Sequence, residues 1–371
     1  MNKCWQKVMI AVVGCLLVQA SASGQATNQA GGLQWFDART LTVEGKGWPE
    51  TKHFYDRWPA RAEGKVRGAV WSLGEDSAGL SVRFVTDATA ISARWTLRRE
   101  RLAMPHMPAS GVSGLDLYVK AGGKWQWLGG GRPDKSPTDE KRLVGNMKPG
   151  RREYLLYLPL YNGVEALEIG VPRDAKVEPA PARPDGLKPI VFYGTSIVQG
   201  GCASRPGMTY PAILGRRLGR EQINLGFSGS AWSEPEVAQL LAELDPAVYV
   251  LDPLPNMKEE WVAPRIDQFV KTLRQAHPTT PIILVENIPY TDGDFVGLRH
   301  ERYIRSNARL RETYDRLRRA GDKNLLYVPA EGLLGADTEG TVDGTHPTDL
   351  GFLRMADAIE PALRRALKSR H

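Results

Sequence analysis

Val191-Phe-Tyr-Gly-Thr-Ser-Ile-Val-Gln-Gly-Gly201 is an apolar run that breaks at Gly194 and delivers one hydroxyl, Ser196, into a glycine-flanked turn. The pattern predicts a buried parallel strand over residues 189–193 that feeds a helix and leaves Ser196 at the strand's carboxyl edge, where ligands collect in open α/β sheets. Alone, a Gly-x-Ser is more often an ordinary strand-to-helix turn whose serine caps the helix. The flanking segments decide between the two.

Downstream, apolar runs alternate with helical faces. Tyr210, Ile213, Leu214 and Leu218 share one face, and Val237, Leu240, Leu241 and Leu244 another, for which Ser233 and Glu236 spell a capping box. Runs at 223–227, 247–252, 281–287 and 324–329 predict further strands. A helix over 299–320 carries most of its arginines opposite Tyr303, Leu310, Tyr314 and Leu317, as a solvated face does. The last helix, over 349–368, contains Pro361, where a kink or restart is expected. Strands spaced by helices imply right-handed βαβ units and a parallel sheet covered on both faces.

Upstream the period is two, not 3.6. Leu80-Ser-Val-Arg-Phe84, Ile91-Ser-Ala-Arg-Trp95-Thr-Leu97 and Leu115-Asp-Leu-Tyr-Val119 alternate, and 124–128, 153–158 and 166–171 are further candidates. Short strands without a convincing helix predict an antiparallel β-sandwich over residues 32–172, with Gly129-Gly-Gly131 as a hairpin turn and not a phosphate cradle. Pro172, Pro179, Pro181, Pro184 and Pro189 mark residues 173–188 as an extended, semi-rigid linker, leaving 189–371 for the α/β domain. The first 26 residues read as an export signal: Lys3 and Lys7 precede an apolar run at 8–18, and Ala20-Ser-Ala22 offers small residues for cleavage. Soluble export, periplasmic or secreted, is favoured over lipid anchoring at Cys15, because the apolar stretch continues past it.

At 371 residues, 42% hydrophobic and 25% charged, the chain has room for two cores. Its formal charge is +7, two of it from Lys3 and Lys7. The remaining cations are scattered and not gathered with stacking aromatics, which argues against a nucleic-acid partner, and no later stretch reads as a membrane span. Attraction to an acidic polysaccharide stays open. Cys202 alone would remain after processing, so no intramolecular disulfide can form; it reads as a packing residue or a reactive thiol. Cys and His in ligand spacing are too few for zinc, and Asp292-Gly-Asp294 alone makes no calcium loop, so no metal or cofactor is expected. Oligomeric state is not legible.

A serine nucleophile needs a base, a group to orient that base, and donors for the developing oxyanion. Asp343-Gly-Thr-His346-Pro347 precedes the last helix and could supply His346 as base and Asp343 as orienter. Asn224-Leu-Gly-Phe-Ser-Gly229 places a glycine N–H past the second strand, and Leu254-Pro-Asn256-Met257 an amide past the third. Ser196, Gly229, Asn256 and His346 thus fall at successive carboxyl-edge positions of one sheet. Arg205 follows the serine closely and reads either as a substrate-binding group or as half of a structural ion pair. The loop at 106–112 would bring His106 or Met107 to the substrate if the sandwich packs on that edge, although surface or core packing is the safer assumption for residues in a turn. Glu286 is a weaker candidate.

These four blocks resemble, in order, those of the SGNH or GDSL hydrolases. Gly114-Leu-Asp116-Leu-Tyr118, preceded by Met107-Pro-Ala-Ser-Gly-Val-Ser, is similar to the Gly-x-Asp-Leu-Tyr motif of a subgroup with a β-rich N-terminal domain. The resemblance implies a flavodoxin-like three-layer α/β/α domain behind a jelly-roll-like sandwich. It also implies metal-free ester hydrolysis, with the Ser196 N–H joining Gly229 and Asn256 in the oxyanion hole. Block one reads Gly-Thr-Ser in place of Gly-Asp-Ser and block three lacks Gly-x-Asn-Asp, which weakens any transfer of substrate from the lipases. Val198 stands where the nucleophile elbow of α/β-hydrolases needs its second glycine, which disfavours that family. The expected function is an exported esterase removing small acyl groups, foremost acetyl, from carbohydrate. A lipid esterase, lysophospholipase or thioesterase on the same residues is the enzymatic alternative. A carbohydrate-binding protein with an inactive hydrolase domain is the non-enzymatic one.

Overall fold

The computed structural model describes residues 32–368. The export-signal and Cys15 readings fall outside the described residues. Ten strands come first: β1 (Leu33–Asp37), β2 (Thr42–Glu44), β3 (Ser81–Thr86), β4 (Ile91–Leu97), β5 (Leu115–Ala121), β6 (Lys124–Gly131), β7 (Thr138–Val144), β8 (Arg152–Tyr157), β9 (Val164–Pro172) and β10 (Val177–Pro179). They form two antiparallel sheets, ordered β1-β9-β4-β7 and β10-β3-β8-β5-β6, with β2 paired to β3. Trp95, Ile169 and Val171 of one sheet meet Val82, Phe84, Leu117 and Leu156 of the other in a shared core, so the alternation in the sequence marks the residues that each sheet turns toward this core; β3 is buried at all six positions, because its second face is covered as well.

The structure departs from the sequence reading here in three ways. Two short helices interrupt the strands, α1 (Gly68–Gly74) and α2 (Ala109–Val112); at seven and four residues they are too brief for a helical period to register. The Gly129–Gly131 triplet lies inside β6, paired with Leu117, Asp116 and Leu115 of β5. Glycine stands there because a neighbouring strand comes close, the Leu143 carbonyl lying 2.2 Å from where a Cβ on Gly129 would sit. Within the proline-rich stretch, β10 pairs with β3 at a sheet edge, where Pro179 forfeits no interior ladder bond, and Arg183 ion-pairs with Glu44. That segment is strapped to the sandwich.

The remaining strands, β11 (Ile190–Gly194), β12 (Gln222–Gly226), β13 (Val248–Asp252), β14 (Ile282–Val285) and β15 (Leu325–Val328), make a parallel sheet ordered β12-β11-β13-β14-β15. This 2-1-3-4-5 order is the flavodoxin-like arrangement. Alternate residues feed different cores: Val191, Tyr193, Tyr249 and Leu251 face one layer, and Ile190, Phe192, Val248 and Val250 the other. The first layer holds α5 (Pro235–Leu241), α6 (Glu259–Ala276) and α7 (Gly297–Arg319); the second holds α4 (Tyr210–Leu218) and α8 (Asp349–Lys368). A four-residue helix, α3 (Ser196–Gln199), follows β11.

The capping box does not form. Glu234 is the N-cap of α5, Pro235 starts it, and Ser233 sits at φ +55° with its N–H on the Tyr193 hydroxyl. Helix α8 runs through Pro361 without an assigned break, because Met355, Ile359, Ala362 and Leu363 are buried on both sides of it. Three extensive cores are present among the described residues, and they do not divide at the linker. Trp48, Trp58, Val66 and Val70 lie in the same core as Phe227, Leu241 and Phe269, while Ala78, Met107, Val112 and Leu160 join the opposite layer. No helix among the described residues is long and apolar enough to cross a membrane.

Candidate active site

Ser196 opens α3 directly after β11. Thr195 caps that turn, its side chain accepting the Ile197 N–H, so the serine is set by an N-cap rather than being one. The turn lies against the end of β12: a Cβ on Gly226 would stand 2.1 Å from the Gln199 nitrogen. Only glycine allows that approach. Ser196 is 6% exposed, and its Oγ lies 2.8 Å from His346 Nε2. His346 Nδ1 lies 2.7 Å from Asp343 Oδ2, and Asp343 Oδ1 accepts the backbone N–H groups of His346 and Thr345 at 2.7 and 3.0 Å. Burial alone would raise the Asp343 carboxyl, but the His346 N–H and imidazole outweigh it and hold it below the usual carboxylate range. One loop thus presents a charged orienter and an aligned imidazole to the serine.

Arg299, which sequence reasoning missed, braces this loop. Its guanidinium pairs with Asp292 at 2.6 Å and donates to Thr345 Oγ1 at 2.8 Å, while the Thr291 N–H reaches the Gly344 carbonyl. Asp292 therefore serves the loop through an ion pair. Glu286 accepts from the Tyr327 hydroxyl and the Ala330 N–H, a structural engagement.

Past β12, residues 227–230 form a turn closed by the Ser230 N–H on the Phe227 carbonyl at 2.9 Å, with Gly229 third at φ +67°, as a type II turn requires. Trp232 Nε1 donates to the Gly229 carbonyl at 3.1 Å. Asn256 closes a short 3-10 turn after β13. Its Oδ1 takes the Ala231 N–H at 3.4 Å, and its Nδ2 makes no hydrogen bond to a described residue. The amide N–H₂ is therefore the free end.

The sandwich borders this edge. Met104 and Met107 exchange backbone hydrogen bonds across a tight turn, and His106 at its tip is exposed, its ring centroid 6.2 Å from that of His346. Tyr161 Oη donates to the Ser196 carbonyl at 3.4 Å, and Ser110 Oγ to the Ser204 carbonyl at 2.7 Å. Two substrate-binding expectations are corrected. Met107 is 1% exposed and belongs to the core with Val112, Leu160 and Ala203. Arg205 directs its guanidinium at Asp116, 2.7 Å away, and at the Tyr118 hydroxyl. Asp116 also accepts the Gly207 N–H and Trp127 Nε1; burial raises its carboxyl despite Arg205. The Gly-x-Asp-Leu-Tyr residues thus lock the sandwich to the loop after the serine. Cys202 is buried at φ +71°, its thiol pushed up to about 12 by burial and then by the Asp343 charge, a packing residue and not a reactive thiol.

Comparison with known proteins bears on this arrangement. Residues 187–364 match the family described as GDSL-like lipase/acylhydrolase, and residues 33–177 the N-terminus of SGNH-hydrolase-type esterases. A GDSL-like lipase from Bacteroides ovatus ATCC 8483 superposes with a TM-score of 0.86 at 41% identity, over 91% of this chain and 98% of that one. The chain belongs to the GDSL-like lipase/acylhydrolase family. Membership places its activity among ester hydrolases. More distant structures share the fold. A salicylyl-acyltransferase from a tetracycline biosynthetic pathway reaches a TM-score of 0.71 at 18% identity, covering 91% of this chain and 99% of its own. A family two carbohydrate esterase from Clostridium thermocellum, in complex with cellohexaose, reaches 0.56 at 15% identity, covering 78% and 93%. No curated protein matches.

Proposed function

We propose that the protein is an exported esterase that removes small acyl groups, foremost acetyl, from carbohydrate through an acyl-enzyme on Ser196. The observation that carries the reading is the hydrogen-bonded series from Ser196 Oγ through the two nitrogens of His346 to Asp343. As Oγ attacks the ester carbonyl, its proton passes to Nε2 and Asp343 stabilises the resulting imidazolium. The carbonyl oxygen, now an oxyanion, lies toward the Ser196 and Gly229 N–H groups and the Asn256 amide. His346 then gives that proton to the departing sugar oxygen, which leaves as a hydroxyl, and water, activated by the same imidazole, releases the acid and restores the serine.

Support for carbohydrate comes from relatives of the same fold. Besides the esterase in complex with cellohexaose, an acetyl xylan esterase from Butyrivibrio proteoclasticus has a TM-score of 0.53 at 13% identity, covering 92% of this chain. The signal-like residues 1–26 support export, and the exposed ring of His106, 6.2 Å from that of His346, supports a role for it beside the substrate.

The test is acetate release from acetylated oligosaccharides and hydrolysis of 4-nitrophenyl acetate. Ser196→Ala is expected to lower kcat by about 10⁴-fold or more; full activity in that variant removes the nucleophile. Acetyl esters should outrun long-chain esters, and the reverse order points to lipid.

A further inference from the structure

We infer that Gln199 is a positioning residue for the oxyanion turn, and that Asp76, from the part of the chain before the linker, fixes which way its amide faces. The inference rests on the esterase reading above. Gln199 ends α3, three residues after Ser196, and is fully buried. Its Oε1 accepts the Ser228 N–H at 3.0 Å, and its Nε2 donates to Asp76 Oδ2 and to the Leu160 carbonyl, both at 3.1 Å. Both amide protons and the amide oxygen are engaged. An ionised carboxylate and a carbonyl only accept, so Nε2 must face them and Oε1 must face Ser228. Asp76 is itself held by Arg99, and its backbone carbonyl accepts from Arg57.

Ser228 is the second residue of the turn whose third is Gly229. Its N–H is anchored on one side by Gln199, and the Gly229 carbonyl on the other by Trp232. Between these anchors lies the peptide that carries the Gly229 N–H. In a turn of this type that peptide can flip, and a flip points the N–H away from the site. Arg57 reinforces the arrangement from the same side, donating to the Asn224 and Gly226 carbonyls at 3.1 and 2.8 Å. The part of the chain before the linker therefore backs the brace of the oxyanion turn, through Asp76 on Gln199 and Arg57 on the strand that leads into the turn.

The experiment compares wild type, Ser196→Ala, Gln199→Met and Gln199→Glu on 4-nitrophenyl acetate, with the inhibition constant of phenylboronic acid measured on each active variant. Boronate adds to the serine as a tetrahedral anion, so its affinity reads the oxyanion donors, whereas a smaller folded fraction lowers apparent kcat and leaves that constant unchanged. Gln199→Met is expected to lower kcat about 10–100-fold with KM little changed, and to raise the inhibition constant by a comparable factor. Gln199→Glu keeps an acceptor for the Ser228 N–H, its other oxygen sharing a proton with Asp76, and should retain most of the boronate affinity. If Gln199→Met cannot be obtained folded, Gln199→Leu, which likewise removes the acceptor for the Ser228 N–H, is read by the same criterion. An unchanged kcat and inhibition constant in Gln199→Met, or a Gln199→Glu variant as weak toward boronate as Gln199→Met is expected to be, overturns the inference. Absence of hydrolysis by wild type, or hydrolysis undiminished in Ser196→Ala, instead strikes the esterase reading.

Discussion

At Gly229 two effects that usually travel together can be separated. A Cβ there would meet nothing within 4 Å, yet φ is +67°, so alanine carries only the left-handed backbone penalty of about 1–2 kcal/mol. Gly229→Ala should fold, unfold a few degrees lower, and lose kcat about 10-fold or more as the turn relaxes and its N–H swings away. Steady-state kinetics beside a melting curve checks this; a wild-type kcat would show that the N–H is not used. Gly226 is the opposite case, since its missing Cβ would strike backbone at 2.1 Å. The sequence named Ser196, His346, Asp343, Gly229 and Asn256 because each lies in a short block with its own local pattern. It did not reveal Gln199 or Arg57, whose partners are 29 and 169 residues away, and it left Met107 and Arg205 open between substrate and structure, because their surroundings are set by packing.

Among the elements, β13 ends on Asp252, a fully buried carboxyl that accepts the Tyr210 hydroxyl of α4 at 3.0 Å. Burial pushes it up to about 8 from an ordinary 3.8. An acid raised in the folded state contributes its full stability below the unfolded value and loses it as pH climbs through the folded one. Thermal stability should therefore fall as pH rises from about 4 to about 8. Asp252→Asn, which can still accept from Tyr210, should flatten that fall without abolishing it, because burial also raises Asp76, to about 6, against the pull of Arg99 and Arg57. A melting series across that range decides, and parallel curves for the two proteins would sink the assignment. Element positions were legible in the sequence wherever one period persisted: β4 and α4 fall on the predicted residues. They were illegible where the apolar pattern was short or a neighbour imposed the conformation, as at α1, at β10 and in the glycine triplet of β6.

For the molecule as a whole, the core shared across the linker makes a definite prediction. Trp58 stacks on Phe227 with ring centroids 5.1 Å apart, and Trp48 lies 5.3 Å from Trp58. Arg57, buried beside them, satisfies carbonyls of Leu73, Asp76, Asn224 and Gly226. Residues 189–368 expressed alone would expose this apolar face and leave the strand-end carbonyls short of a donor, at about 1–3 kcal/mol for each group left unsatisfied. The fragment is expected to bind a hydrophobic dye and to lack both a cooperative unfolding transition and esterase activity. A cooperative, active fragment would refute the shared core.

By itself the sequence determined the two architectures, their order and the blocks that meet at the sheet edge, because hydrophobic period and turn chemistry are local properties that each segment carries unaided. Only the tertiary structure decided how the halves are joined and what holds the oxyanion turn. Those contacts pair groups far apart in the chain, and a buried arginine or glutamine is stable only where the fold supplies all its partners at once.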